Sequence, residues 1–357
     1  MDAPALLLDR LGRAPGVLRL SLTARCNLAC PYCCPDDRDP PGLLTLAQRF
    51  ALVQAAVGLG VRTLRLTGGE PLLHRQLEEL IAALQPLRQA SPGLAQIALT
   101  SNGQLLTAER ARALRSAGLD RLTLSLDGAD GASVARMAGL GPDQPQRGEV
   151  VLQRVLEAIA RARAAGFEPQ RGELKLNAVI RRGWNDDQLL PLAGLARRLG
   201  LELRLIEFMD VGSRNGWSPE QVLPAAQMLE RIDQVWPLEP QGRPQHGTAS
   251  RWRYRDGSGW LAVVASVTQP FCGDCDRLRV TADGVAYTCL FAAPTQGLDL
   301  RPWLQPDTPS GALRQVLSQC WRQRRDRYSE ERQQRRSDSR GWAAQASRHA
   351  EMAYLGG

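Results

Sequence analysis

The sequence of 357 residues predicts an α/β fold: an incomplete six-unit (βα)6 barrel, like part of a triosephosphate isomerase barrel, followed by a C-terminal α+β region. Strand and helix patterns alternate over about the first 200 residues, which implies parallel strands joined by right-handed crossovers. Polar residues follow the strands at their carboxyl ends, where parallel α/β folds bind ligands. Two strands also carry polar side chains on one face, whereas a complete eight-stranded barrel fills its lumen with apolar ones.

The predicted elements alternate in chain order. The predicted strands are Val17–Leu22, Thr63–Thr67, Gln96–Thr100, Arg121–Leu126, Glu173–Ile180 and Glu202–Phe208. The predicted helices are Leu44–Leu59, Gln76–Arg88, Thr107–Ala117, Glu149–Ala165 and Asp186–Leu199. Thr45 can cap the first helix, and glycines at 118, 166 and 200 can end later ones.

Two predicted strands favour a barrel over a doubly wound sheet. Thr63, Arg65 and Thr67 share one face of the second strand. Glu173, Lys175 and Asn177 share one face of the fifth strand. Helices should cover the outside of a βα barrel, so we expect these polar faces to line a wide lumen that holds a polar ligand.

Composition bounds the class of protein. The formal charge of +8 is compatible with nucleic acid, a membrane surface or an anionic small ligand as partner. No apolar run is long enough to span a membrane, and the first residues lack a secretory signal. Eight cysteines at ligand-like spacings favour a metal or redox site over disulfides. We therefore expect a cytoplasmic protein without a membrane or nucleic-acid partner.

Lysine is almost absent. Lys175 is the one lysine among 45 basic residues. Retention against this bias towards arginine points to a site that needs a compact charge, although chance explains it about as well.

The first cysteine set is Cys26, Cys30 and Cys33, at C-x3-C-x2-C spacing in the loop after the first strand. Thiolates suit zinc, Cu(I) and iron–sulfur clusters. Structural zinc and cubane clusters normally take four protein ligands, so three thiols would leave one iron open to a ligand that is not protein. Cys34 follows at once, and we interpret it as a bystander.

The second set is Cys272, Cys275 and Cys289, at C-x2-C-x13-C spacing. A second cluster with an open iron is favoured, and a zinc site with His246 as fourth ligand is the alternative. Arg277 and Arg279 share a face if they lie on a strand, where guanidinium groups could bind phosphate or carboxylate oxygens.

The region after about residue 240 changes character. The stretch 237–247 is rich in Pro, Gln and Gly and predicts a boundary between domains 1–240 and 241–357. Residues 260–266 predict a strand. Residues 303–351 predict a helix with interleaved acidic and basic residues, a pattern typical of a solvated face. Its arginines include Arg322, Arg324, Arg325, Arg335 and Arg336, and Cys320 lies among them without a predicted partner.

The first cysteine set followed by Gly68-Gly69-Glu70-Pro71 resembles the motifs of radical S-adenosylmethionine (SAM) enzymes. Nearly the whole chain is similar to the GTP 3′,8-cyclase family, which performs the first step of molybdenum cofactor biosynthesis. The similar segments are Leu11-Gly12-Arg13, Leu18-Arg19-Leu20-Ser21, Arg65–Pro71, Asn185-Asp186-Asp187, Ile206–Asp210, Arg325–Ser329, both cysteine sets, Arg277-x-Arg279 and the final Gly-Gly.

The resemblance implies a role for each matching residue. Cys26, Cys30 and Cys33 would hold a [4Fe–4S] cluster that cleaves SAM, and Cys272, Cys275 and Cys289 a second [4Fe–4S] cluster whose open iron binds guanine. The implied SAM-binding residues are Tyr32, Gly69, Glu70, Ser125 and Met209. The implied GTP-binding residues are Arg19, Arg65, Thr100, Lys175, Arg277 and Arg279. The implied catalytic residues are Arg277, Arg279, Gly356 and Gly357, the last two as a tail that reaches into the active site rather than a frayed end.

The implied reaction abstracts hydrogen from ribose C3′ of GTP and joins C3′ to C8, giving 3′,8-cyclo-7,8-dihydro-GTP. It needs an external electron donor and a following enzyme that takes the product, and a homodimer is expected. Cys34 stands where the family commonly has Met. Another radical SAM enzyme with an auxiliary cluster, such as a peptide-modifying maturase, is the alternative. A zinc or nucleic-acid module would not explain Gly-Gly-Glu-Pro in its βα context.

Overall fold

A computed structural model describes residues 6–91, 93–141, 143–335 and 349–357, with side chains described except those of 333–335. The strands β1 to β12 are Val17–Ser21, Thr63–Thr67, Gln96–Ser101, Arg121–Ser125, Leu174–Ile180, Glu202–Glu207, Leu238–Gly242, Ser250–Tyr254, Trp260–Val264, Arg277–Val280, Val285–Tyr287 and Leu298–Asp299. The α-helices α1 to α9 are Leu46–Val57, Leu77–Ala83, Ala108–Ala117, Gly131–Met137, Pro145–Ala164, Leu189–Arg198, Ala225–Asp233, Ala312–Gln323 and Tyr328–Arg335.

The described strands form one sheet in the order β12-β11-β10-β1-β2-β3-β4-β5-β6-β9-β8-β7. Strands β1 to β6 pair in parallel with their neighbours in the chain, which confirms the six predicted βα units. The C-terminal region adds a parallel strand to each side, β10 beside β1 and β9 beside β6. Within the described residues the sheet order does not close, so the barrel is open.

The two faces of the parallel strands have opposite character. Leu18, Leu20, Leu64 and Leu66 are fully buried among the apolar side chains of the surrounding helices. The alternate residues face the lumen, and the register aligns Arg19 with Arg65 and Arg279. Alternation along the strands therefore separates an apolar exterior from a polar lumen, as predicted, but Glu173 was wrongly included, because it precedes β5 and pairs with Arg115 on α3 at 3.0 Å.

The sheet curves around this lumen. Arg65 on β2 and Arg204 on β6 are separated by three strands in the sheet. Their guanidinium groups nevertheless repel each other enough to lower the pKa of Arg65, after burial as the main cause. Charges on such distant strands interact because curvature turns both side chains toward the same space.

The predicted helix ends are confirmed at α1 and α3. Thr45 caps α1 reciprocally with Gln48: its hydroxyl accepts from the Gln48 amide at 3.3 Å, and its own amide donates to Gln48 Oε1 at 2.9 Å. Gly118 ends α3 in the left-handed conformation. No helix among the described residues is long and apolar enough to cross a membrane.

The linker prediction at 237–247 was wrong in part. Leu238–Gly242 forms β7, an edge strand that pairs antiparallel with β8 and is irregular between Pro240 and Gly242. Proline is tolerated there because an edge strand leaves one side without ladder hydrogen bonds. Strands from both sides of residue 240 join one sheet, so the sheet does not separate the two predicted domains. The domain boundary at 240 therefore stays a prediction.

The single helix predicted over 303–351 was also wrong. Residues 304–311 form bends and turns, and α8, a break at 324–327 and α9 follow. At Arg324 the backbone leaves the helical conformation, with φ −58° and ψ 130°, and the guanidinium turns into the protein. Arg336 and the rest of 336–348 lie outside the described residues, and 349–357 forms turns.

Candidate active site

The first cysteine loop follows β1 at the carboxyl ends of the parallel strands. The amides of Cys33 and Cys34 both donate to the Cys30 carbonyl, at 3.0 and 2.9 Å, and so fold the loop into a tight turn. Burial raises the pKa of Cys33, and the nearby Cys26 thiol raises it further. The three predicted ligands are therefore grouped. The Cys34 thiol instead donates to the Pro31 carbonyl oxygen, at 3.1 Å.

Gly68-Gly69-Glu70-Pro71 lies against the chain that leads into this loop. The Gly69 amide donates to the Thr23 carbonyl and the Glu70 amide to the Arg25 carbonyl, both at 2.8 Å. A Cβ at Gly69 would lie 2.1 Å from the Arg25 oxygen, so only glycine permits this approach.

Glu70 joins the motif to the end of β3. Its buried carboxylate accepts from the Leu72 amide, the Ser101 hydroxyl and the Asn102 amide, at 2.9, 2.8 and 2.7 Å. The Asn102 side chain in turn lies 3.6 Å from the Cys26 sulfur. The carboxylate of Glu70 thus holds two strand ends beside the cysteine loop.

Tyr32 donates its hydroxyl to Asp127, at 2.7 Å, just after β4. Asp127 also accepts from the Val179 amide at 2.7 Å, and burial raises the pKa of its carboxyl to about 6. Asp127 was not among the predicted site residues, although its position after a strand was the available signal. Ser125 ends β4, and Met209 follows β6 at the same edge of the sheet.

The second cysteine set lies at the opposite end of the barrel. Cys272 and Cys275 directly precede β10, which runs parallel to β1 and begins level with Val17. Strand β11 returns antiparallel to β10 and brings Cys289 back to that same end. A five-residue strand spans about 13 Å between its first and last Cα atoms, so the two sets are separated by roughly the height of the lumen.

Two guanidinium groups contact the Cys275 sulfur. The Nε of Arg277 and the Nη2 of Arg324 lie 3.2 and 3.0 Å from it. Burial raises the pKa of this thiol, but Arg277 and Arg324 outweigh burial and lower the pKa to about 7. Cys275 can therefore be a thiolate near neutral pH, which is the form that binds iron.

The thiols fit clusters better than single ions. Around one zinc ion with 2.3 Å bonds, ligand sulfurs would lie about 4 Å apart. Among the described residues no three His, Cys, Asp or Glu side chains are arranged to hold one metal ion. A cubane presents a separate iron to each thiolate, so its ligands can be more widely spaced. All eight cysteines are free thiols.

Four arginines crowd the lumen between the two cysteine sets. Burial lowers the pKa of Arg19, and Arg279, Arg65 and Arg277 lower it further. Burial and neighbouring cations also lower the pKa of Arg65 to about 9 and that of Arg279 to about 10. A bound polyanion would offset the repulsion between these buried cations, so the lumen suits a ligand with several negative charges.

Gly356 lies within this arginine group. Its carbonyl oxygen accepts from Arg19 Nε at 2.9 Å, from the Thr67 hydroxyl at 3.1 Å and from Arg279 at 3.5 Å. Arg19 also donates to the main-chain oxygen of Gly357. The last two residues of the sequence therefore lie in the lumen and are not frayed.

Lys175 lies further around the same lumen. In the sheet register Lys175 is the partner of Thr123 on β4, and Thr123 is the partner of Thr100 on β3. The Nζ of Lys175 donates to Glu202 at 2.7 Å, and Glu202 also accepts from Arg204 and Arg251 at 3.1 and 2.7 Å. Glu202 was missed because its sequence signal is only its place on the predicted sixth strand.

Residues 349–357 are held by contacts outside the lumen. Glu351 accepts from the Ser213 hydroxyl at 2.7 Å and pairs with Arg214 at 3.2 Å. Tyr354 donates to Asp283 at 3.1 Å, and Leu355 is fully buried. These contacts fix the approach of Gly356 to the arginines.

Two family models match this chain in succession. The Radical SAM superfamily model matches residues 20–196, and the Molybdenum Cofactor Synthesis C model matches residues 201–330. A GTP 3′,8-cyclase of Synechococcus sp. (strain CC9605) is 61% identical over 355 residues, or 98% of each chain. This chain belongs to the GTP 3′,8-cyclase family. The GTP 3′,8-cyclase of Xanthomonas axonopodis pv. citri (strain 306) is 47% identical, with 93% of this chain and 95% of the relative covered.

A solved structure supports the fold. Streptococcus suis SuiB, determined with bound S-adenosylmethionine, superposes with a TM-score of 0.59 at 15% identity. The match covers 84% of this chain and 68% of SuiB. At this identity the likeness concerns the radical SAM fold alone, and it confirms the predicted partial barrel.

Proposed function

We propose that this protein is a radical SAM lyase that converts GTP to (8S)-3′,8-cyclo-7,8-dihydroguanosine 5′-triphosphate, the first step of molybdenum cofactor biosynthesis. One observation carries the proposal. Arg19, Arg65, Arg277 and Arg279 line a lumen whose two ends each carry a three-cysteine set. GTP is both a polyanion and a base that an open iron can bind, so it matches both features of that lumen.

The end at the carboxyl edge would bind the first cluster and SAM. Cys26, Cys30 and Cys33 would hold three irons of a [4Fe–4S] cluster, and SAM would complete it. Main-chain groups of Gly69 and Glu70, together with Ser125, Met209 and Tyr32, would bind SAM beside that loop. Because the Glu70 carboxylate is bonded to protein groups, we expect it to act by positioning the motif.

The opposite end would bind the second [4Fe–4S] cluster through Cys272, Cys275 and Cys289, with guanine on its open iron. Arg19, Arg65, Thr100, Lys175, Arg277 and Arg279 would bind the triphosphate and sugar. A unit-charge pair at 4 Å contributes about 4 kcal/mol at an effective dielectric constant near 20, against about 1 kcal/mol in water. A buried arginine group therefore binds a triphosphate far better than a surface patch.

When bound, SAM and the first cluster supply the radical that removes the C3′ hydrogen. The protein's own task is to hold C3′ near SAM and C8 near C3′. Arg277 and Arg279, fixed on β10 beside β1, would keep the nucleotide in that position. The main-chain oxygens of Gly356 and Gly357 would orient the guanidinium groups of Arg19 and Arg279 toward it.

An anaerobic assay tests the proposal. The reconstituted protein is mixed with SAM, dithionite and GTP, and mass spectrometry follows 5′-deoxyadenosine and a cyclised GTP product. We expect both products, with the cyclised nucleotide absent when ATP replaces GTP. Deoxyadenosine without any GTP-derived product would overturn the cyclase assignment and leave a radical SAM enzyme with another substrate.

The proposal also needs partners and a compartment. An external donor must reduce the cluster, and a following enzyme must take the product. Eight free thiols suit the reducing cytoplasm, where we place the protein. A homodimer and the division into 1–240 and 241–357 remain parts of this proposal.

A further inference from the structure

Arg324 has none of the roles proposed above. The sequence placed it on a solvated helical face, but the structure leaves it only 3% exposed. Its Nη2 lies 3.0 Å from the Cys275 sulfur and its Nη1 lies 2.6 Å from the Cys275 carbonyl oxygen. Arg324 therefore holds one cysteine of the second set at two points.

The guanidinium of Arg324 is fixed from outside the lumen. It stacks on the Trp321 ring at 4.6 Å and donates to Asp326 at 3.1 Å. The Trp321 indole in turn donates to the Arg13 carbonyl at 2.8 Å, and Arg13 donates to the Cys272 carbonyl at 2.8 Å. The end of α8 and the N-terminal turn thus support the Cys272–Cys275 loop together.

Cys275 differs from the other five thiols of the two sets. Within the described part of the chain, guanidinium groups donate to its sulfur alone among the six. Cys26 receives its contacts from the Leu28 amide and the Asn102 side chain, and Cys289 from the Phe291 amide. Charged hydrogen-bond donors therefore act on only one of the three cysteines of the second set, Cys275.

The two donors to Cys275 are not equivalent. Arg277 lies on β10 and belongs to the proposed phosphate-binding group, so a nucleotide competes for its N–H groups. Arg324 approaches from α8 and is pinned by Trp321 and Asp326. Its contact with Cys275 therefore persists whatever occupies the lumen.

We propose that Arg324 is a positioning residue of the second cluster. It fixes the position of Cys275 and raises the reduction potential of the cluster. This inference rests on the proposed function, in which Cys275 binds an iron. Uptake of one electron adds one negative charge to the cluster and its thiolates. A fixed cation and a hydrogen bond to sulfur stabilise that added charge, so they favour the reduced state.

The test uses the full chain with Cys26, Cys30 and Cys33 replaced by Ala, so that only the second cluster is titrated. Iron content is measured, and dithionite supplies one electron per cluster in a titration followed by electron paramagnetic resonance. In this background Arg324→Gln should disfavour reduction at least tenfold, a shift of 59 mV to lower potential for one electron. Arg322→Gln, at an exposed position on the same helix, should leave the potential unchanged.

Asp326→Asn distinguishes an effect of Arg324 on the reduction potential from an effect on folding alone. Asp326 pairs with Arg324 and accepts from the Thr288 hydroxyl at 2.8 Å, one residue before Cys289. Its loss removes a negative charge, so the potential should rise while that of Arg324→Gln falls. A structural role would instead lower the thermal midpoint in both variants without opposite shifts in potential.

Each outcome decides between the claims. A background protein without about four irons would overturn the second cluster itself, and the inference with it. A background with about four irons and an unshifted Arg324→Gln potential would overturn only the role of Arg324. If Arg324→Gln does not fold, Arg324→Lys and Asp326→Asn replace it, and two unshifted potentials would contradict the proposal.

Discussion

Lys175 occupies the lumen as a buried cation whose charge is balanced by Glu202. Burial lowers the pKa of Lys175 to about 8, although Glu202 acts in the opposite direction. A phosphate group that approached Lys175 would favour its charged form. GTP affinity should therefore depend on the protonation of Lys175 around pH 8.

Affinity for GTP should be constant below about pH 8 and fall as the pH rises toward 9. The reason is that the free protein increasingly holds neutral Lys175, which must take up a proton when GTP binds. Lys175→Arg should move the onset of this decline to higher pH, because the guanidinium pKa is higher than that of the ammonium and the remaining decline comes from Arg65, whose pKa is about 9. Calorimetry across this pH range provides the measurement, and a decline with the same onset in Lys175→Arg would contradict the account.

Glu202 is the central carboxylate for three basic side chains. Burial raises its pKa, but Lys175 and Arg204 outweigh burial and lower the pKa to about 2. Because the folded-state pKa lies below the ordinary value, the stabilisation is present above about pH 4.5 and is lost as the pH falls toward 2.

Glu202→Gln should reduce the free energy of unfolding by about 3 kcal/mol at pH 7, because it leaves buried cations without their carboxylate. Urea unfolding under anaerobic conditions measures this change. Glu239→Gln, on the exposed edge strand β7, is the control and should change stability little. Equal stability of the two variants would show that the lumen cations do not need Glu202.

At the scale of elements, short segments were predictable where local chemistry determined them. Thr45 predicted the start of α1, and alternation on β2 predicted which side chains enter the lumen. Asp127 and Glu202 carried only a positional signal, after the fourth strand and on the sixth, because the partners that define their roles are distant in sequence. Arg324 was assigned to solvent because helical periodicity says nothing about where a helix breaks.

The segment 349–357 acts as an element without regular structure. Gly356 has φ +66°, and a Cβ there would lie 2.1 Å from the Thr67 hydroxyl. Gly183 has φ +74° with open space around it, so it matches the backbone strain without the clash.

Gly356→Ala should therefore push the segment out of the lumen and lower the rate of product formation at least tenfold, with both clusters retained. Gly183→Ala carries the same backbone penalty and should leave the rate nearly unchanged. Product formation and iron content are measured in parallel. A Gly356→Ala enzyme as fast as the Gly183→Ala enzyme would contradict a role for this segment.

At the scale of the whole molecule, the C-terminal region completes the lumen. Strands β9 and β10 extend the parallel sheet on both sides of the six predicted βα units. The sequence predicted the six units because their apolar periodicity is local. It did not predict that β10 pairs with β1, since that pairing joins residues 260 positions apart.

The two cysteine sets should load independently, because they lie at opposite ends of the barrel. The parent protein should bind about eight irons, and Cys30→Ser and Cys289→Ser about four each. Iron analysis after anaerobic reconstitution measures this. Loss of all iron in either variant would show that the two sites form as one unit.

The central claim is that the lumen holds ribose C3′ of GTP against the radical source at the carboxyl ends of the strands. GTP labelled with deuterium at C3′ tests it most directly, with the label followed into 5′-deoxyadenosine by mass spectrometry during turnover. The account predicts deuterium in 5′-deoxyadenosine whenever cyclised product forms. Unlabelled 5′-deoxyadenosine beside cyclised product would contradict it.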